Sequence, residues 1–306
     1  MTRTATVPVP ASSVPAPVLF GVSAVFHYVG PALAVLLFAH LDVLGVAWLR
    51  IAGAAVVLAL WRRPWRTRVR PARGQWRDLA GLGLVLAAMN SVFYLAVARL
   101  PLSTVAAIEF LGVIGLAAAG ARTVRNVLAL CLAVGGVLVL TDIRLTGEPL
   151  GFGYAFANSA LFVLYVVLGH RAANAAPAPG VRGRPGGIDR LAVAMVCAAL
   201  VATPAGIGQA WQAFTHPVWL LAGVGVGLCS SVIPYVADQL AMARLRRSTF
   251  ALMLTILPAT ATAVGLIVLA QRPTVPDLAG IALVAAGIAV HQQARPQART
   301  PRKEPS

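Results

Sequence analysis

From residue 15 onward the chain alternates between long apolar blocks and short polar links. The blocks fall at roughly 15–38, 44–61, 79–98, 103–120, 123–141, 151–170, 190–207, 217–241, 249–270 and 276–292. Their length suits an α-helix crossing a hydrocarbon layer of ~30 Å, which takes about 17 to 25 residues. Proline or glycine punctuates the links, at Pro64, Pro71, Pro101, Pro149, Pro217, Pro273 and Pro276. The longest link, HRAANAAPAPGVRGRPGGIDR from His170, has an Ala/Pro/Gly content that predicts a flexible connector. The pattern predicts an all-α integral membrane protein of ten spans.

Composition agrees. Of 306 residues, 59% are hydrophobic and 11% charged, and the mean hydropathy is +0.81. A soluble domain carries about 25% charged residues, so a water-soluble protein is excluded. Residues 1–14 contain no long apolar run and are expected to form a disordered cytoplasmic tail, not a cleaved signal. Residues 293–306 read as a basic cytoplasmic tail. Cys131, Cys197 and Cys229 are far apart inside apolar segments and read as small core residues. No metal site and no cofactor is expected.

The net charge of +16 sits almost entirely between the blocks. Sorting Lys and Arg onto alternate sides of ten spans puts 21 on one side and three on the other, with Arg50 inside the second span. Cytoplasmic loops carry the basic excess, so both termini are expected to face the cytoplasm, in a multi-pass protein of the plasma membrane. The charge orients the chain and is not a nucleic-acid footprint, because no such binding module interrupts the spans.

A repeat then divides the chain. LAVARLPLST (Leu95 to Thr104) and LAMARLRRST (Leu240 to Thr249) agree at seven of ten positions. Five spans separate the copies, and an odd number turns the second upside down. The copy expected outside keeps Pro101 and Leu102, whereas the cytoplasmic copy carries Arg246 and Arg247. A weaker echo joins LAVGGVLVL from Leu132 to LVAAGIAV from Leu283. Residues 15–141 and 151–292 are thus expected to be two inverted five-helix repeats, a recurrent design of secondary carriers.

Within these repeats, MNSVFYLAVARLPLSTVAAIEFLG (Met89 to Gly112), WLRIAGA (Trp48 to Ala54), LFVLYVVLGHRAA (Leu161 to Ala173) and IPYVADQLAMARL with STF resemble EamA-type carriers of the drug/metabolite transporter superfamily. The likeness is greatest to the threonine/homoserine exporters and covers nearly all of residues 20–292. It implies a central cavity open to one side at a time and export of amino acids or related metabolites. Two positions depart from the family pattern. Leu257-Pro258 stands where the family usually has Glu-Pro, and Ala270-Gln271 where it usually has Gly-Glu.

Polar groups inside apolar spans need a partner, a cavity or a role. Glu109 and Arg50 each lie six residues from the outer end of their spans, a depth of ~9 Å. Equal depth predicts a Glu109–Arg50 pair, either a fixed ion bridge or a carboxylate offered to a substrate ammonium or a proton. Asn90, near the middle of the third span, supplies a donor and an acceptor suited to a zwitterion, and Tyr94 follows one turn later. Tyr165, with Phe162 one turn before it, is a candidate cavity wall, and Asp238 a candidate acid at the cavity mouth. His27 reads as a buried neutral side chain or a proton relay. Pro258 is expected to break its helix beside the binding site. GVGVG (Gly223 to Gly227) and the Gly83/Ala87 spacing read as close helix packing.

These features point to a secondary transporter exporting small metabolites, above all amino acids or amino-acid-like compounds, across the cytoplasmic membrane by alternating access. An integral-membrane enzyme would need a nucleophile with a base, or clustered ligands, at one depth. A non-transporting scaffold would be expected to carry a sizeable extramembrane domain. Neither is evident. The expected partners are the substrate, a coupling proton and the lipid bilayer, with a homodimer left open.

Overall fold

The computed structural model describes residues 15–63, 73–120, 123–142, 148–174, 187–242 and 256–290. Both expected tails and most of the second decapeptide lie outside the described residues. Among the described residues the chain is helical, without strands. The helices are α1 (Ala16–Leu37), α2 (Val43–Arg62), α3 (Arg73–Val97), α4 (Leu102–Gly120), α5 (Val124–Asp142), α6 (Pro149–Asn174), α7 (Gly187–Gly206), α8 (Trp211–Thr215), α9 (Pro217–Gly227), α10 (Ile233–Met242), α11 (Ile256–Leu269) and α12 (Val275–Val290). A π-helical turn, Leu228–Val232, joins α9 to α10.

Local chemistry sets several ends. Pro217 opens α9 at a position whose N–H has no helical acceptor anyway. Arg63, at φ 47°, closes α2 in the left-handed region, and Pro64 follows it. Thr274 and Asp277 form a capping box at the start of α12: Asp277 Oδ2 accepts from Thr274 N at 2.9 Å, and Asp277 N donates to Thr274 Oγ1 at 3.4 Å.

Four stretches, Val43–Arg62, Trp76–Val97, Ile188–Gly206 and Pro217–Ala237, are long and apolar enough to cross a bilayer; shorter apolar helices accompany them. Large apolar side chains such as Leu60, Leu84, Leu138, Leu200, Leu221 and Ile267 are exposed on the outer surface. In water such a surface would be costly; in lipid it is the favourable one.

Small residues bring the helices together. A Cβ on Gly227 would strike the Arg50 carbonyl and one on Gly223 the Leu49 side chain, so GVGVG is where α9 lies against α2. Gly83 likewise lies against Cys197 and the Ala194 carbonyl, joining α3 to α7. The helices α5 and α12 meet reciprocally: Gly136 abuts the Gly280 carbonyl and Val284 N, while Gly287 abuts the Ala129 carbonyl and Ala133 N. That register is antiparallel. So is the one between α2 and α7, where Arg62 pairs with Asp189 at 2.7 Å and Trp48 Nε1 donates to Thr203 Oγ1 at 2.9 Å. The remaining contacts come in matched sets. Helix α3 packs on α6 and α7, and the α9–α10 segment packs on α1 and α2; α4 packs on α6, and α11 on α1.

Two features differ from the apolar-block expectation. The link before α9 contains a one-turn helix, α8, and the span expected at 217–241 is interrupted by the π-turn. Pro234 explains part of the interruption. It has no N–H, so the Ser230 carbonyl four residues earlier loses its usual helical donor.

Candidate substrate site

One pocket lies among the helices, lined by His27, Pro31, Arg50, Met89, Asn90, Phe93, Glu109, Asn158, Phe162 and Tyr235. They come from α1, α2, α3, α4, α6 and α10, so the site is assembled from both halves of the chain. Four sequence candidates, Asn90, Glu109, Arg50 and His27, converge here.

Glu109 is buried on α4, and its Oε2 accepts from Asn158 Nδ2 of α6 at 2.7 Å. The bond crosses a tight α4–α6 contact, where Ser159 Oγ accepts from Gly112 N and donates to the Glu109 carbonyl. No protein donor among the described residues reaches Glu109 Oε1. Asn158 is fully buried, and its Oδ1 has no hydrogen-bond partner. The amide orientation follows from the bond to the carboxylate, which when ionised can only accept.

Arg50, also buried, turns the other way. Its Nε donates to Ser231 Oγ at 3.3 Å and its Nη2 to the Ser230 carbonyl at 3.4 Å. The guanidinium lies over the Tyr94 ring, 5.2 Å from its centroid. Pro234 makes this docking intelligible, because the carbonyl it leaves without a helical donor is the one Arg50 reaches. The expected Glu109–Arg50 ion pair is therefore corrected: both groups line the pocket, but they form no ion pair. The serine pair of the π-turn holds Arg50, and Asn158 holds Glu109.

Asn90 Nδ2 donates to Leu86 O within its own helix at 2.7 Å. This use of the donor leaves the acceptor end for the pocket. Tyr94 is fully buried beneath Arg50 and is not a lining residue. Tyr165 lies outside the lining and packs on Phe162, with ring centroids 5.8 Å apart. His27 meets Tyr28 edge to face. Pro31 in the interior of α1 deprives the His27 carbonyl of its helical donor. Asp238 lies on α10 and Pro258 in the first turn of the described part of α11, and both side chains are outside the described residues. Residues 243–255 lie outside the described residues, so the expected break at Pro258 falls at the edge of what is described.

Sequence reasoning missed Asn158, Pro31, Tyr235 and the Ser230-Ser231 pair. The signals were present: an amide inside FANSA and a proline four residues after a serine in SSVIP. Neither motif holds an ionisable group, so neither stands out in an apolar span as Glu109 and Arg50 do.

The threonine/homoserine exporter RhtA of Salmonella typhimurium (strain SL1344) is 32% identical over 267 residues, covering 85% of this chain and 85% of that protein. The same exporter of Escherichia coli (strain K12) is 30% identical over the same length and coverage. The chain belongs to the threonine/homoserine exporter family. It is a membrane transporter of the drug/metabolite type. No family model matches it.

The departures from the exporter pattern now have coordinates. Ala270 has φ 52°, a left-handed conformation that a glycine adopts without strain. Gln271 turns back so that its N–H bonds to the Gly265 carbonyl, and its Oε1 accepts from Leu102 N at the start of α4. A neutral amide thus caps α4 where the family pattern has a carboxylate.

Proposed function

We propose that this chain exports small amino acids of the threonine or homoserine type across the cytoplasmic membrane, with the pocket between α1, α2, α3, α4, α6 and α10 as the substrate site. The observation that carries this reading is a buried carboxylate and a buried guanidinium facing one pocket without pairing. Glu109 offers Oε1 to a substrate ammonium or a transported proton. Asn90 adds an acceptor on the neighbouring wall. The cavity volume is ≈ 30 Å³, room for about one or two waters and too small for an amino acid. Substrate entry therefore requires the helices to part, which fits alternating access.

The same proposal includes ten spans in two inverted repeats with both termini cytoplasmic. The reciprocal glycine contacts of α5 and α12 and the matched packing sets support it. So does the 21-to-3 split of basic residues. The site is built within one copy, so a homodimer is not required. In a cysteine-free background, single cysteines at Arg70 and Arg182 are expected to resist an impermeant thiol reagent in intact cells, and one at Thr215 to react. Labelling of the first two without lysis refutes the orientation.

The functional test uses purified protein in vesicles loaded with labelled threonine, homoserine and a panel of other amino acids, with and without a pH gradient. Efflux of the small hydroxylated members, faster with a gradient, is the expected result. Vesicles that release no amino acid above protein-free controls overturn the proposal.

A further inference from the structure

Arg50 is a buried cation without an acidic partner among the described residues. Its two hydrogen bonds, at 3.3 and 3.4 Å, go to a neutral hydroxyl and a neutral carbonyl. Charge-assisted bonds run nearer to about 2.8 Å. This is a loose mooring for a guanidinium, which carries five donors in a planar fork matched to a carboxylate. The same pocket holds acceptors: the Glu109 carboxylate, of which Oε2 takes the Asn158 amide, and the fully buried, unpartnered Asn158 Oδ1. The pocket therefore sets a donor on α2 and acceptors on α4 and α6 within a lining that also includes Pro31, Met89, Phe93 and Phe162.

We infer that Arg50 is the receptor for the substrate's α-carboxylate, moored on the Ser230-Ser231 π-turn while the pocket is empty and released to the carboxylate when an amino acid enters. This rests on the amino-acid reading above and assigns the direction in which the substrate lies. The ammonium points to Glu109 and Asn158, and the carboxylate to Arg50. The reverse direction would set a carboxylate against Glu109 and an ammonium against Arg50, repelling at both ends. The two groups line one pocket without an ion pair between them, so one α-amino acid can present its ammonium to Glu109 and its carboxylate to Arg50. The substrate class follows: α-amino acids with both groups free, excluding their esters and amides and excluding simple amines. The mooring has a second consequence. Arg50 leaving Ser231 Oγ and the Ser230 carbonyl removes a tie between α2 and the α9–α10 segment, so substrate binding loosens a contact between the two halves of the chain.

The experiment measures labelled threonine efflux from vesicles containing the full chain, competed by unlabelled threonine, threonine methyl ester or threoninamide. In the unaltered protein the ester and amide are expected to compete about tenfold or more weakly than the acid, because a buried fork left without its carboxylate rejects the analogue. Arg50→Gln is expected to compress that ratio to about twofold, with Arg50→Lys between. Ser231→Ala weakens the mooring, so the half-saturating threonine concentration should fall by about twofold while ester competition stays unchanged. A purely structural arginine predicts no gain in affinity from Ser231→Ala. Ester competing as well as acid in the unaltered protein overturns the inference, and that comparison stands even where Arg50→Gln does not fold. Folded Arg50→Gln that keeps the full ratio also overturns it. If the unaltered protein moves no amino acid at all, the parent reading fails and takes this one with it; movement without acid–ester discrimination sinks only the Arg50 assignment.

Discussion

Two regions of the molecule treat the halves of the chain differently. At the seam between α5 and α12 the contacts are reciprocal: each helix supplies a glycine that meets two backbone atoms of the other. Around the pocket they are not. The first half supplies Arg50, Asn90 and Glu109, and the second supplies Asn158, Tyr235 and the Ser230-Ser231 mooring. On the proposed repeat, residues shared by both halves would build the scaffold, and residues present in only one would carry the chemistry. The residue 145 positions after Glu109 is Leu254, and the one after Asn90 is Tyr235.

The largest effect is expected at the unshared carboxylate. Glu109→Gln keeps the shape and an acceptor for Asn158 but removes the charge that answers an ammonium. A hydrogen bond to a charged group contributes about 1.5–3 kcal/mol, so threonine efflux should fall about tenfold or more while folded protein reaches the membrane in near-normal amount. Normal efflux by this variant ends the role assigned to Glu109. Loss of folded protein would instead return Glu109 to the scaffold, as a clamp between α4 and α6.

The seam predicts the opposite signature. Gly136→Leu and Gly287→Leu each force a side chain into backbone, an overpacking that costs about 1–3 kcal/mol. Because the contacts are reciprocal, the two variants should lose thermal stability in detergent by similar amounts, with the folded remainder still selective for amino acids. A severe loss from one and none from the other would break the equivalence of the halves.

The same contrast explains what the chain made legible. The apolar helices and the glycine contacts follow from apolar length and residue size, which are local properties. Four pocket residues were found because an ionisable or amide group in an apolar span is conspicuous. Which wall each faces was not legible. Glu109 and Arg50 share a depth, yet their pairing depends on what else competes for them. Asn158 lies 49 residues from Glu109, and Ser231 lies 181 from Arg50. Only the packed structure brings those competitors into reach. The π-turn was equally hidden, since the effect of Pro234 becomes visible only once Arg50 fills the carbonyl it frees.

The smallest effect belongs to a position where this chain departs from its family pattern. Ala270 holds φ 52° at the C-terminal end of α11, and the next residue, Gln271, reaches the first turn of α4. A Cβ in the left-handed region costs about 1–2 kcal/mol, whereas glycine accepts it at the expense of a more flexible unfolded chain. The two terms oppose, and the steric one is larger. Ala270→Gly should therefore stabilise the protein by about 0.5–1 kcal/mol, seen as a modest rise in unfolding temperature. Ala270 lines neither the substrate pocket nor the α5–α12 seam, so acid–ester selectivity should not change. A destabilised variant would mean that the alanine methyl makes contacts worth more than its backbone strain. Altered selectivity would mean that this turn and the substrate pocket are coupled through the Gln271 cap on α4, the helix that carries Glu109.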